Sequence, residues 1–195
     1  IGIDLGTTNS CVAVMEAGDS HDPALWATMV EQGWTAARVP EPLGGLGLGA
    51  EEACVLAEEC GRELAPAPLV SAIAATEALL LAGSEAQQAQ WLPAIAAGEA
   101  IGCIAWAEGG NSPAMNSAAR LENGRLTGVK SPVVDGRAAT FAIVTVATDA
   151  GPAMAIAALE GARVEAVETL DLVRPSAAIH FDAAPAEPLG TAADR

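Results

Sequence analysis

The stretch SAARLENGRLTGVKSPVV, residues 117–134, decides the fold. Asn123-Gly124 stands between two runs, 117–121 and 125–129, and a two-residue hairpin turn favours this pair because both central positions take positive φ. Residues 140–148, 153–158 and 177–181 read as further strands, the first rich in β-branched side chains. The alternating period begins near Ile101; upstream of it the spacing is helical.

In that upstream part Asp22 is the expected N-cap of a helix with Pro23 at its first position, and Leu25, Trp26, Met29 and Val30 form its apolar face up to about Gly33. VPEPLGGLGLG, residues 39–49, carries too much glycine and proline for a helix and is expected to be an irregular connection. Helical spacing resumes over 51–64 and 71–82, with Gly83 as a stop. Ser84-x-x-Gln87 is a capping box opening the helix that carries Trp91, which Pro93 is expected to bend or end early. Helices followed by strands predict an α+β fold.

The chain has 195 residues, 51% of them hydrophobic, enough to bury one or two cores. A net charge of −16 with nine basic side chains excludes nucleic acid and anionic membranes as partners. No apolar run is long enough to suggest a membrane span, and no export signal is visible. Cys11, Cys54, Cys60 and Cys103 form no C-x-x-C pair and have no histidine nearby, which predicts reduced, mostly buried thiols, no metal site and a cytoplasmic protein. Without an initiator methionine, the sequence is expected to be a fragment.

The first residues, IGIDLGTTNS, alternate apolar and small or polar side chains and then reach a turn with exposed N–H groups and two hydroxyls, a phosphate-binding pattern, with residues 11–14 returning as a second strand. This segment resembles the first phosphate loop of the DnaK-type heat-shock chaperone ATPases. The resemblance implies that Asp4 faces a magnesium shell and that Thr7 and Thr8 hold phosphates, but it ends near Gly18. Residues 1–18 are therefore read as a fused or stray head, since one phosphate loop cannot enclose a nucleotide.

A longer resemblance follows. Trp26, Gly33-Trp34, Val39-Pro40-Glu41, Gly44-Gly45-Leu46-Gly47-Leu48, Glu58-Glu59-x-Gly61-Arg62, Gly83-Ser84 and Trp91-Leu92-Pro93 occur in that order. Leu126-x-Gly128-x-Lys130-x-x-Val133, Leu170-Asp171-x-x-Arg174, Ile179-x-Phe181 and Glu187-x-Leu189-Gly190 come after them. The set resembles the acyl-CoA dehydrogenase family over about residues 22–190. It implies an N-terminal helical domain at 19–98 followed by a mainly antiparallel β domain at 99–195, with the family's C-terminal helical domain absent.

The family resemblance implies a flavoprotein that dehydrogenates the Cα–Cβ bond of an acyl-CoA thioester, with FAD accepting hydride and a carboxylate taking the Cα proton. That carboxylate comes from the C-terminal domain in the family, so no catalytic base is assigned, and Glu108 is not promoted to the role. By family position Trp106, Ala107, Ser112, Pro132 and Val134 meet the FAD. Three of these depart from the family pattern: Ala107 replaces a threonine, Pro132 an aromatic residue and Val134 a hydroxyl residue. Trp106 is equally readable as a core strand residue, whereas Trp26, Trp34 and Trp91 are expected to pack and His180 to face solvent.

The resemblance also implies a homo- or hetero-oligomer, and divergent family members include mixed oligomers in which one subunit lacks part of the flavin apparatus. Three readings follow: an acyl-CoA dehydrogenase-like flavoprotein, a noncatalytic partner subunit on the same scaffold, and, remotely, a DnaK-type nucleotide-binding segment.

Overall fold

The computed structural model describes residues 20–109 and 117–190, together with the backbone of residues 2–3 and 12–13. Those last two pairs form short strands, β1 (Gly2–Ile3) and β2 (Val12–Ala13), antiparallel with Gly2 opposite Ala13. Asp4, Thr7, Thr8 and Ser112 lie outside the described residues.

Helix α1 (Pro23–Glu31) opens as its residues dictate: the Asp22 carboxylate accepts from the N–H groups of Ala24 at 2.9 Å and Leu25 at 3.0 Å. Residues 39–49 are largely irregular as expected, with one 3₁₀ turn, Glu41–Leu43. Helices α2 (Ala50–Arg62), α3 (Leu69–Ala82) and α4 (Glu85–Ala96) follow. Ser84 and Gln87 close the capping box of α4. Pro93 does not end α4, which runs on to Ala96; burial of Leu92, Ile95 and Ala96 on either side of the proline holds the last turn in place.

The strands are β3 (Gly102–Ala105), β4 (Arg120–Glu122), β5 (Arg125–Val134), β6 (Phe141–Thr148), β7 (Gly151–Ala158), β8 (Arg163–Val167) and β9 (Ser176–Pro188). They run in the order β3-β6-β4-β5-β9-β7, and a further pairing of β6 with β7 closes the sheet on itself, with β8 on β9. Pairings are antiparallel except β3–β6 and β4–β6. The Asn123-Gly124 turn joins β4 to β5, with positive φ at both residues, 50° and 72°. Of the strands read from alternation, 125–129 and 177–181 fall short of β5 and β9, because these two pair with each other through register shifts that interrupt the period.

Alternate residues of β6 serve two cores. Ala142, Val144 and Val146 point into the closed sheet with Leu126, Val133, Ile179 and Phe181. Phe141 and Ile143 point outward, into a second core with Ala75, Leu79, Leu92 and Ile95 of α3 and α4. The helices approach so closely that a side chain at Gly102 would stand 2.4 Å from Ala75 Cβ. Trp91 stacks on Phe141 at 4.3 Å between centroids, and Trp26 is buried beside Met29 in a third cluster. Sequence reasoning expected mostly buried thiols; Cys60 and Cys103 are buried, but Cys54 is exposed because it lies on the outer face of α2. Among the described residues no helix is long and apolar enough to cross a membrane, and no cluster of His, Cys, Asp and Glu is suited to a metal ion.

Candidate functional site

After β3 the chain continues as Trp106-Ala107-Glu108 alongside β5. Ser131 N–H donates to the Ala107 carbonyl at 2.8 Å, and Gly109 N–H donates to the Ser131 carbonyl at 2.7 Å. These two bonds put Trp106 and Ala107 beside Ser131 and Pro132, so four of the five residues assigned to the flavin from sequence belong to one sheet edge. Trp106 is 48% exposed and Val134 40% exposed, and Pro132 also faces solvent. A core role for Trp106 is thereby set aside.

The edge is held from below by a buried lysine. Lys130 has no exposed surface, and its ammonium donates to Glu108 Oε1, to Ser117 Oγ at 2.9 Å and to Thr145 Oγ1 at 2.9 Å. Thr145 in turn donates to the Trp106 carbonyl at 3.4 Å. Glu108 also accepts from Ser117 Oγ and from the backbone N–H groups of Ala118 at 2.7 Å and Ala119 at 3.2 Å. One cation therefore ties together both arms that flank residues 110–116 and the strand behind them.

Burial alone would push the Glu108 carboxyl up. Donation from Lys130, then Ser117, then the two amides outweighs it and holds the pKa at about 2. Burial pulls the Lys130 ammonium below its ordinary value, and Glu108 opposes that shift. The two groups move in the same direction for different reasons: the lysine loses all its water, while the carboxylate keeps 12% of its side-chain surface and gains four donors. Glu108 is a fixed anion with its lone pairs engaged, not a proton acceptor.

Sequence reasoning missed this pair as a unit. The available signal was parity: Lys130 shares the inward register of Leu126 on an alternating strand, a position where a charge requires a partner.

Residues 8–99 match the family described as acyl-CoA dehydrogenase, N-terminal domain. A variant of the Tcur3481-Tcur3483 steroid ACAD superposes with a TM-score of 0.81 at 30% identity, over 91% of this chain and 51% of that one. This is the acyl-CoA dehydrogenase fold. The ChsE4-ChsE5 complex from Mycobacterium tuberculosis is similar at a TM-score of 0.78 and 26% identity, over 92% of this chain and 50% of that one.

Acyl-CoA dehydrogenases are also the similar curated proteins. IpdE2 of Mycobacterium tuberculosis is 39% identical over 93 residues, 47% of this chain and 29% of that protein. FadE27 of the same organism is 32% identical over 155 residues, 77% of this chain and 41% of that protein. The chain thus spans about half of each of these two solved acyl-CoA dehydrogenase-fold chains and less than half of these curated relatives.

The chemistry of the edge is suited to a flat ring system. Trp106, Pro132 and Val134 offer an apolar surface for a ring system on a protein that is otherwise strongly acidic. Lys130 is fully buried and paired, so it is not the group that meets a diphosphate.

Proposed function

We propose that this chain is the helical and β part of an acyl-CoA dehydrogenase-like flavoprotein, with residues 19–98 and 99–195 as its two domains and residues 1–18 as a fused head. The reaction class is α,β-dehydrogenation of an acyl-CoA thioester. The observation that carries the reading is the exposure of Trp106, Pro132 and Val134 along one edge, beside the buried Ala107, within the acyl-CoA dehydrogenase fold. FAD, when bound there, supplies the hydride acceptor.

The chain's own residues bind and orient. Trp106 and Pro132 shield one side of the ring from water, and Ser112 is the neighbouring hydroxyl by family position. Glu108 and Lys130 hold the edge rigid and carry no proton in the reaction, because each is already engaged by the other. The Cα proton is assigned to no residue of this chain. Association with like or unlike subunits belongs to the same reading, supported by similarity to the ChsE4-ChsE5 complex, and family resemblance assigns the second wall of the site to the C-terminal helical domain.

A noncatalytic partner subunit is the second reading. It is favoured by Val134 and Ala107, which place methyl groups where the family resemblance calls for hydroxyls. The test is the visible absorption of the purified chain after exposure to FAD and removal of free cofactor, alone and with candidate partner subunits. A retained flavin spectrum that bleaches with an acyl-CoA supports the first reading; flavin held only by the partner supports the second.

A further inference from the structure

Asp135, directly after Val134, is buried with 3% of its side chain exposed, and the function described above makes no use of it. Its Oδ2 accepts from Ser71 Oγ of α3 at 2.7 Å and from Arg174 at 2.7 Å through a terminal nitrogen and 3.3 Å through Nε. The same terminal nitrogen of Arg174 donates to Ser71 Oγ at 3.0 Å, so the three side chains form a closed triangle. Asp135 is bound through its backbone as well: its N–H donates to the Pro175 carbonyl at 2.9 Å, and its own carbonyl accepts from Ala138 and Ala139 at 3.0 and 3.1 Å.

Two further features show that the triangle is built rather than incidental. Asp135 has φ of +57°, a left-handed backbone that aspartate tolerates and most residues resist. The loop that delivers Arg174 is shaped by Asp171, whose Oδ1 accepts from the N–H groups of Val173 at 2.9 Å and Arg174 at 3.1 Å. Apart from that loop's fold-back, Leu170 and Leu172 are fully or largely exposed, so apolar packing of those two side chains does not fix the loop. Arg174 does.

We propose that Asp135 is a positioning residue that keys α3 and the loop of residues 168–175 to the end of β5, and so sets where Pro132 and Val134 stand. Ser71 comes from the helical layer, Arg174 from the loop between β8 and β9, and Asp135 from the strand end. One carboxylate oxygen accepts from both Ser71 and Arg174, so Asp135 is the common point through which α3 and the loop are held to the strand end. A charge-assisted donor from Arg174 and a neutral donor from Ser71 contribute unequally, the former being the stronger. That Pro132 and Val134 face flavin rests on the function proposed above; the keying itself does not.

Hydrogen exchange of the full chain tests it. Asp135→Ala is expected to speed exchange about tenfold or more in residues 69–76 and in 168–175 together, while the ladder between β6 and β7 keeps its protection. Asp135→Asn retains an acceptor oxygen for Ser71 and loses the charge for Arg174. It should release the 168–175 loop and leave residues 69–76 close to the wild-type rate.

A uniform rise across the chain, or one confined to residues 132–138, would overturn the proposal. If Asp135→Ala does not fold, Ser71→Ala and Arg174→Gln decide: each must loosen its own segment and the end of β5, and wild-type protection at the end of β5 in either overturns the keying. Flavin retention by the wild-type chain is measured separately, so failure of the flavin reading and failure of the keying are distinct results.

Discussion

Lys130 and Glu108 form an ion pair in which the ammonium has no exposed surface and the carboxylate retains only 12% of its own. Such a pair is costly to assemble and more costly to break on one side only, because the surviving charge is left without its partner. Lys130→Met is expected to destabilise the protein by about 3 kcal/mol, seen as a lower midpoint in urea with an unchanged slope. A loss below about 1 kcal/mol would show that water reaches and solvates Glu108 after the substitution.

The same pair sets a pH dependence. Glu108 titrates at about 2 in the folded chain against an ordinary value of 4.5, so its contribution is fully present above pH 4.5 and is lost as pH falls toward 2. The difference in unfolding free energy between wild type and Glu108→Gln should therefore shrink across that window, by an amount on the order of 3 kcal/mol. A difference that stays constant from neutral pH down to pH 2 would contradict a depressed carboxyl.

Gly128 lies in β5 at φ of +146°, and a Cβ there would stand 2.7 Å from Ala119 Cα. Gly128→Ala must strain the backbone and push apart β5 and the segment that bears Ala119. We expect a loss of about 2 kcal/mol or more, measured by thermal unfolding; an unchanged melting temperature would show that β4 and β5 can separate freely at this point.

The thiols should differ in reactivity. Burial pushes Cys103 up to about 12, and burial raises Cys60 as well, whereas Cys54 is exposed. Alkylation of the native chain at neutral pH, mapped by peptide mass, should modify Cys54 well before Cys60 or Cys103. Equal rates at the three would mean that α2 and β3 open readily.

Much of the architecture was legible because it is written in local signals. Asp22-Pro23, Ser84-x-x-Gln87 and Asn123-Gly124 each specify one backbone geometry through their own hydrogen bonds or φ preference, and each sits where its pattern placed it. The length of β9 and the existence of β8 were not legible. Their residues, such as Glu165 and Ala178, are paired across a ladder, and pairing partners leave no mark on a single strand's period.

The site was legible only in part for the same reason. Trp106 and Pro132 lie 26 positions apart, and the backbone bonds of Ser131 with Ala107 and Gly109 bring them together. The Asp135 triangle draws on residues 64 positions earlier and 39 later, beyond the reach of any spacing rule. Pro93 misled for a different reason: the tertiary contacts of Leu92 and Ile95 outweigh the local penalty of a proline.

A flavin titration of the wild-type chain beside Trp106→Ala tests whether the edge formed by Trp106, Pro132 and Val134 is a flavin wall. The indole is exposed and outside the three cores, so the substitution should leave the melting temperature nearly unchanged while weakening FAD binding about tenfold or more. FAD binding of equal strength in both proteins, or no binding by the wild-type chain even with its partner subunits present, would contradict the claim.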